Sequence, residues 1–169
     1  TASFLQVGGA NGSNGTGMVL LTGGLLTLHN ATNSTGYSTL IGLDGGSGVF
    51  NHSGGTHVTD NLNLGGLGTN ALGHSGVYNM SNGATLQVLG EEDIGHDGSG
   101  AFVQTGGAHT VGNGTASGTL SIGNFGGGAA SFNISGGSLT VGSVIYVGGN
   151  GPGTYNQSGG SVRVTYAFG

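Results

Sequence analysis

The chain lacks several kinds of residue on which common protein functions depend. Its 169 residues include no cysteine, no tryptophan and no lysine, and there is a single proline and a single arginine, Arg163. Without cysteine there are neither disulfides nor thiolate metal ligands, which leaves the redox compartment open. One base against six acids, a net charge of -5, gives no basic surface for phosphate groups, so we expect no nucleic-acid binding. No apolar run approaches the roughly 18 residues of a membrane helix, so we expect no membrane insertion.

Catalytic groups are scarce as well. Solenoid enzymes that act on polysaccharides need paired carboxylates, or a base beside cationic groups, in a cleft built by long loops. Only 4% of the residues are charged, and the insertions between repeated blocks are short. The sequence therefore predicts no enzyme activity, no catalytic residue and no cofactor.

Glycine is what the chain has in excess, with 43 residues. A glycine in a helix interior costs about 1 kcal/mol relative to alanine, so one in every four positions excludes a helical protein. Collagen is excluded because the glycines keep no three-residue period. Disorder is the remaining alternative, but 34% of the residues are hydrophobic, which indicates that part of the chain is buried.

One block recurs along the whole chain. Its clearest copies read Gly-Val-Phe-Asn-His-Ser-Gly-Gly at 48–55 and Gly-Thr-Tyr-Asn-Gln-Ser-Gly-Gly at 153–160. The last glycines of the six copies lie at positions 24, 55, 83, 107, 137 and 160, so that each unit is 23 to 31 residues long. Repeats of this length are typical of solenoids.

Each unit also contains short runs in which apolar and polar residues alternate, such as 62–64 and 139–141. Alternation with period two, bounded by glycine and asparagine, predicts strands. A parallel coil stacks like residues on one another at about 4.8 Å, whereas a hairpin meander would reverse every second strand. We therefore predict one all-β domain, a parallel β-solenoid with three strands per coil. Its six coils are expected near 1–28, 29–59, 60–88, 89–111, 112–141 and 142–169.

The repeat assigns structural roles to two sets of residues. An interior column of mainly aromatic side chains is predicted from Val19, Phe50, Tyr78, Phe102, Phe132 and Tyr155. Corner hydroxyls are predicted at Thr22, Ser53, Ser81, Thr105, Ser135 and Ser158. Such a hydroxyl can bond a neighbouring backbone group, and the glycines that follow can take the positive φ of a tight corner. A β-branched residue at Gly136 or Gly159 is therefore expected to be costly.

Histidines and acids raise the question of metal binding. The six histidines do not follow the spacing of a zinc site, and His57 and His109 are expected on equivalent strands two coils apart, about 10 Å, too far for one ion. We therefore expect the histidines to be structural, with no metal site. The cluster formed by Glu91, Glu92, Asp93 and Asp97 is interpreted as a solvated turn, and weak calcium binding over Glu91 to Asp97 is left open.

Two outward columns are also considered. Nine Asn-x-Ser/Thr sequons occur, of which those at 51, 79, 133 and 156 fall inside the repeat. Their side chains are expected to stack as a hydrogen-bonded ladder, and glycosylation is left open. Thr27, Thr110 and Thr140 are expected to point outward from one strand column, as on an ice-binding face. Because Val58, Gln87 and Arg163 interrupt that column, ice binding is a minor alternative.

The blocks at 128–148 and 153–164 read Gly-x-Tyr/Phe-Asn-x-Ser-Gly-Gly-x-Leu-x-Val and x-Leu-x-Ile/Val-Gly. This pattern resembles the glycine-rich repeats of bacterial autotransporter passengers and related exported surface proteins, and it covers essentially the whole chain. The resemblance implies a right-handed β-helix that is secreted or held at the cell surface, with an adhesive or matrix role. It implies no catalytic residue.

The ends of the solenoid carry the functional prediction. Solenoids normally protect their terminal coils with caps, because an open coil offers a row of unpaired backbone groups. Here we expect neither end to be capped. The residues expected to mediate self-association are Phe4, Leu5, Val7, Val162, Val164, Tyr166 and Phe168.

Two functions fit open ends. Separate subunits could stack head to tail into an extracellular filament or matrix fibre, since a heterologous contact with translation does not close. Alternatively, the chain is part of a longer adhesin and forms a stalk. The filament is favoured because a body with little charge and short loops offers no obvious receptor site. The expected partner is then a second copy of the chain, with cell-surface or matrix components as further candidates.

Overall fold

The computed structural model describes residues 4–9, 13–29, 36–67, 73–112, 118–123 and 127–165. In this part of the chain every regular element is a strand, and the strands form three six-stranded sheets. All neighbouring strands in these sheets run parallel. The predicted parallel β-solenoid with three strands per coil is confirmed.

The strands are short and recur in the same order in every coil. Sheet 1 contains β1 (Leu5–Val7), β4 (Thr39–Ile41), β7 (Leu62–Leu64), β10 (Glu91–Ile94), β13 (Thr119–Ile122) and β16 (Val144–Val147). Sheet 2 contains β2 (Thr16–Leu21), β5 (Ser47–His52), β8 (Ser75–Met80), β11 (Ser99–Gln104), β14 (Ala130–Ile134) and β17 (Gly153–Gln157). Sheet 3 contains β3 (Leu25–Leu28), β6 (Thr56–Thr59), β9 (Thr85–Val88), β12 (Ala108–Val111), β15 (Ser138–Val141) and β18 (Ser161–Val164).

Stacked aromatic rings run through the core along sheet 2. Strand register pairs Phe50 with Tyr78, Tyr78 with Phe102, and Phe102 with Phe132. Their centroids are 4.7, 5.0 and 4.9 Å apart, with nearly parallel ring planes. This spacing matches the distance between strands, so each ring covers the next. Val19 and Tyr155 continue the column into the first and last coils, where they are only partly buried.

The predicted corner residues lie between sheets 2 and 3, and most corners have the expected glycine geometry. Positive φ values of 70 to 82° occur at Gly24, Gly55, Gly107, Gly137 and Gly160. The hydroxyl of Thr105 donates to the carbonyl of Met80, 3.3 Å away, in the preceding coil. A corner hydroxyl can therefore bond a backbone carbonyl, as the repeat predicts.

The third corner, at 81–84, does not have the positive φ at the last glycine of its block. Since His52 pairs with Met80 and Thr56 pairs with Thr85, this corner has one residue more than the second. Asn82 takes the positive φ, at 53°, and Gly83 does not. Asparagine tolerates this left-handed conformation better than most residues, so the extra residue is accommodated.

Gly136 and Gly159 are required for a different reason from the one the sequence suggested. Neither has a positive φ. A methyl group at Gly136 would lie 2.4 Å from the carbonyl oxygen of Thr105, and one at Gly159 would lie 2.3 Å from that of Ser135. These glycines are needed because the preceding coil passes directly beneath them, not because of their own backbone angles.

For Glu92 and Asp93 the expectation of a solvated turn was wrong. Glu91 to Ile94 form β10, in which Glu92 is fully buried and Asp93 is 3% exposed. Asp93 accepts a hydrogen bond from the hydroxyl of Tyr37. Burial raises the pKa of Asp93, against the opposing effect of this hydrogen bond. Tyr37 also packs with Leu40 and Leu43 in an apolar cluster separate from the main core, which explains why sheet 1 is covered on its outer side.

Candidate functional site

The two ends of the solenoid are open strand edges in the described part of the chain. We call β1 to β3 the N-terminal edge and β16 to β18 the C-terminal edge, because each of these strands has a neighbour on one side only. Val147 and Val164 on the C-terminal edge are both 47% exposed. Their counterparts one coil earlier, Ile122 and Val141, are completely buried. The exposure therefore comes from the missing next coil.

The structure places the described members of the predicted self-association set on these edges. Leu5 and Val7 lie on the N-terminal edge, and Val162 and Val164 lie on the C-terminal edge. Phe4, just before β1, is 54% exposed. Tyr166 and Phe168 lie outside the described residues. The prediction omitted residues of the same edges: Val19, Leu21, Leu26, Leu28, Ile145, Val147 and Tyr155. Aligning the repeats column by column would have found them.

Both edges present the same interior columns in the same register. Through the intervening strands, Val147 belongs to the column of Val7. Val164 belongs to the column of Leu28. Tyr155 belongs to the column of Val19. A C-terminal edge placed on an N-terminal edge with unchanged register would thus stack apolar side chains on apolar side chains in all three sheets.

Gly23 on the N-terminal edge has space that the corresponding Gly54, Gly136 and Gly159 lack. A methyl group at Gly54, Gly136 or Gly159 would come within 2.3 to 2.5 Å of a backbone oxygen of the preceding coil. At Gly23 there is no atom within 4 Å, and its φ is not positive. Nothing in the described structure requires glycine here, whereas a coil stacked beneath Gly23 would.

The outer surface of the first coil is unusually apolar. Met18, Leu20 and Leu25 are 64 to 72% exposed. In the second coil the corresponding residues are Val49, Asn51 and Thr56. Sequence inspection missed this lateral patch because it concentrated on the interior columns.

The middle coils contain a buried pair of a glutamate and a histidine that the sequence analysis did not predict. Glu92 Oε2 and His109 Nε2 are 2.8 Å apart and both side chains are completely buried. The two atoms are not aligned for a hydrogen bond, and Glu92 Oε1 and His109 Nδ1 have no partner either among the described residues. His109 also stacks on Phe102, with centroids 4.8 Å apart. The pair is therefore held in place by packing between the rings and strands of the core.

A second polar group in the core joins two histidines through a tyrosine hydroxyl. His52 Nδ1 is 3.0 Å and His57 Nδ1 is 3.1 Å from the hydroxyl oxygen of Tyr78. Burial lowers the pKa of His57 to about 3, with a further lowering from His52. Burial also lowers the pKa of His52, although the carbonyl of Gly55 acts in the opposite direction. Both rings are therefore neutral at pH 7.

Sites for other ligands are sparse in the described residues. A cavity of about 260 Å³ is lined by His74, Asp97, Ser99 and glycine backbone. The amide of Gly45 donates to His74 Nδ1. Within the described ranges no three His, Cys, Asp or Glu side chains are grouped so as to hold a metal ion. Each of the other two histidines lies beside an acid, His29 next to Asp60 at 2.7 Å and His96 next to Asp97 at 3.2 Å.

Comparison with protein-family models, with curated proteins and with solved structures finds no match for this chain. Among the described residues no helix is long and apolar enough to cross a membrane.

Proposed function

We propose that the chain is a structural subunit whose C-terminal edge pairs with the N-terminal edge of a second copy, so that copies stack head to tail into a filament. The single observation that carries this proposal is the open space beneath Gly23. At Gly54, Gly136 and Gly159 the preceding coil lies against the glycine and leaves no room for a side chain. The same requirement would arise at Gly23 only in contact with a further coil.

The edge strands supply the hydrogen bonds for such a contact. Between the fifth and sixth coils the three sheets align four, five and four residue pairs. About ten ladder bonds at roughly 0.5–1.5 kcal/mol each are comparable with an association cost of about 4–15 kcal/mol. Backbone pairing alone therefore about balances that cost, and burial of the edge side chains decides the outcome.

Apolar burial favours association. Val147, Val164, Tyr155 and Val19 are partly exposed in the isolated chain and would be covered in the stack. Burying a side chain of this kind contributes on the order of 1.5–3 kcal/mol when it is complete. Because the contact uses two different edges and advances along the solenoid axis, it does not close and produces a fibre.

The setting that we propose is extracellular or at the cell surface. The support is the likeness of the repeats to autotransporter passengers. A structural rather than catalytic role is part of the same proposal, because the buried Glu92 and His109 have no access to a substrate from solvent.

Negative-stain electron microscopy and sedimentation velocity test the proposal. We expect unbranched fibres with an axial repeat of about 29 Å, from six rungs at about 4.8 Å each. Val164→Lys should prevent their growth, because it would bury an unpaired charge between copies. Thr154→Lys is the matched control, since this side chain lies in the same coil but on the outer surface, and fibres should still form. Monomers that never elongate would reject the filament and leave the stalk.

A further inference from the structure

The two core histidines belong to a longer chain of hydrogen bonds that begins and ends on backbone carbonyls. From Tyr78 the chain continues through His57 Nε2 to the hydroxyl of Thr39, 3.2 Å away, and from there to Thr59 at 2.9 Å. Thr59 donates to the carbonyl of Asn61 at 3.1 Å. At the other end, His52 Nε2 lies 3.2 Å from the carbonyl of Gly55.

The directions of these bonds are fixed from the Asn61 end. A carbonyl only accepts, so Thr59 uses its one proton on Asn61 and must accept from Thr39. Thr39 has then used its own proton and must accept from His57 Nε2–H. His57 therefore carries a proton on Nε2. The carbonyl of Gly55 likewise requires a proton on His52 Nε2.

When all its side chains are neutral, this series of hydrogen bonds has one proton fewer than it has contacts. Six contacts join the two carbonyls. Neutral Thr39, Thr59, Tyr78, His52 and His57 have one suitable proton each, which makes five. One contact must therefore bring two acceptors together, and an acceptor pair without a proton is unfavourable in a buried site.

We propose that His52, Tyr78 and His57 form a binding site for one extra proton in the core of the solenoid. The proton comes from solvent and adds one positive charge, and with it all six contacts are satisfied. The Tyr78 hydroxyl donates to one histidine and accepts from the other, so its rotation decides which ring is the imidazolium. Both rings keep their Nε2 protons in either arrangement.

The first proton is assigned to His52. Its Nε2 faces the carbonyl of Gly55, a corner residue that is partly exposed, whereas the buried His57 ring lies against the rings of Phe50 and Tyr78. The titratable groups facing this site are Glu92, which acts electrostatically on Tyr78, and His109, which acts on His52. A negative charge on Glu92 would favour proton uptake, and a positive charge on His109 would oppose it.

The Tyr78→Phe variant isolates the hydroxyl. Phenylalanine occupies the same column at positions 50, 102 and 132, so the ring packing has direct precedent in this chain. Without the hydroxyl, a charged His52 loses the acceptor for its Nδ1 proton. Tyr155→Phe is the matched control, because it removes a hydroxyl from the same column in the last coil, where that hydroxyl donates to Gln157 Oε1 and not to a histidine.

Long-range proton–nitrogen NMR of histidine-labelled full-length chain, recorded across acid pH, reads the proton on each ring nitrogen. We expect His57 to carry its proton on Nε2 in the neutral state, and His52 alone to become an imidazolium on acidification while the fold is retained. Proton affinity at His52 should fall at least tenfold in Tyr78→Phe and stay unchanged in Tyr155→Phe. Equal affinity in Tyr78→Phe, simultaneous protonation of both rings, or no protonation before unfolding would each overturn the proposal.

Discussion

The middle coils and the end coils solve the same packing problem with different side chains. The second to fourth coils bury His52, His57, Tyr78, Glu92 and His109 completely or almost completely. The end coils place mainly aliphatic residues in the corresponding columns, with one tyrosine and one glutamine in the last coil, and leave several of them half exposed.

The difference shows which side chains a parallel solenoid can accommodate in its middle coils and which at its two edges. A buried polar group needs a partner at a fixed position, and only a coil with neighbours on both sides supplies partners from several strands. An apolar side chain on an edge is stable in contact with water and gains when another coil covers it. The interior therefore tolerates polar groups, while the edges are suited to association.

The largest effect is expected from breaking the buried pair in the middle coils. His109→Leu should lower the free energy of unfolding by about 3–5 kcal/mol, because Glu92 is left buried without its partner. The double variant Glu92→Leu with His109→Leu should recover most of this loss. Leucine already occupies these columns in the neighbouring coils. Leu62 and Leu120 pair with Glu92, and Leu86 and Leu139 pair with His109.

Urea unfolding followed by circular dichroism measures these differences. If the double variant is no more stable than His109→Leu alone, the pair is not what the middle coils depend on. If His109→Leu lowers the free energy of unfolding by less than about 1 kcal/mol, the buried pair does not distinguish the middle coils from the end coils energetically.

An intermediate effect is expected from pH. The pKa of His57 is about 3 in the folded chain and about 6.5 when unfolded. Between these values the unfolded state binds more protons, so stability is lost as the pH falls below about 6.5. The loss is up to about 1.4 kcal/mol per pH unit for each such histidine.

His57→Leu should reduce this pH slope, measured from urea unfolding at several pH values. Leu86→Val is the control, because it alters the same interior column one coil later without removing a titratable group, and it should leave the slope unchanged. An equal slope in the wild type and in His57→Leu would show that His57 is not the acid-sensitive group.

The smallest effect on stability is expected at the N-terminal edge. Gly23→Ala should leave the isolated chain unchanged or stabilise it by up to about 1 kcal/mol, because its methyl group meets nothing and the unfolded chain loses freedom. The same change should weaken assembly, since the added methyl group would meet the preceding copy. Gly136→Ala, the matched change in a middle corner, should instead destabilise the monomer.

Thermal unfolding and sedimentation of the two alanine variants separate the effects. Normal assembly of Gly23→Ala would mean that no coil lies beneath this corner.

The sequence predicted the parts of the structure that repeat. The strands, the corners and the column from Phe50 to Phe132 follow from residue types that recur in every unit, and a parallel coil is the arrangement that stacks them. The third corner was misjudged because the glycine pair at this point is replaced by Asn82 and Gly83. One additional residue shifts the corner without disturbing the pattern on either side.

The polar core was missed because it consists of exceptions to the repeat. Glu92 stands where neighbouring coils have Leu62 and Leu120, and three adjacent acids were interpreted as a surface turn. Comparing each column across the repeats would have shown that Glu92 and His109 face the interior. Their contact could not have been predicted from spacing alone, because it joins sheets 1 and 3 across the core.

Cross-linking in register tests the pairing of the two edges most directly. The chain has no cysteine of its own, so Gln6→Cys and Tyr146→Cys can be made as separate single-cysteine proteins, and they share one outward column. In a head-to-tail stack their Cα atoms would lie about 4.8 Å apart, within the range for a disulfide. We expect rapid formation of the mixed dimer, and little with Ser143→Cys, which is three residues out of register. Equal cross-linking of both partners, or none, would contradict templated stacking of the edges.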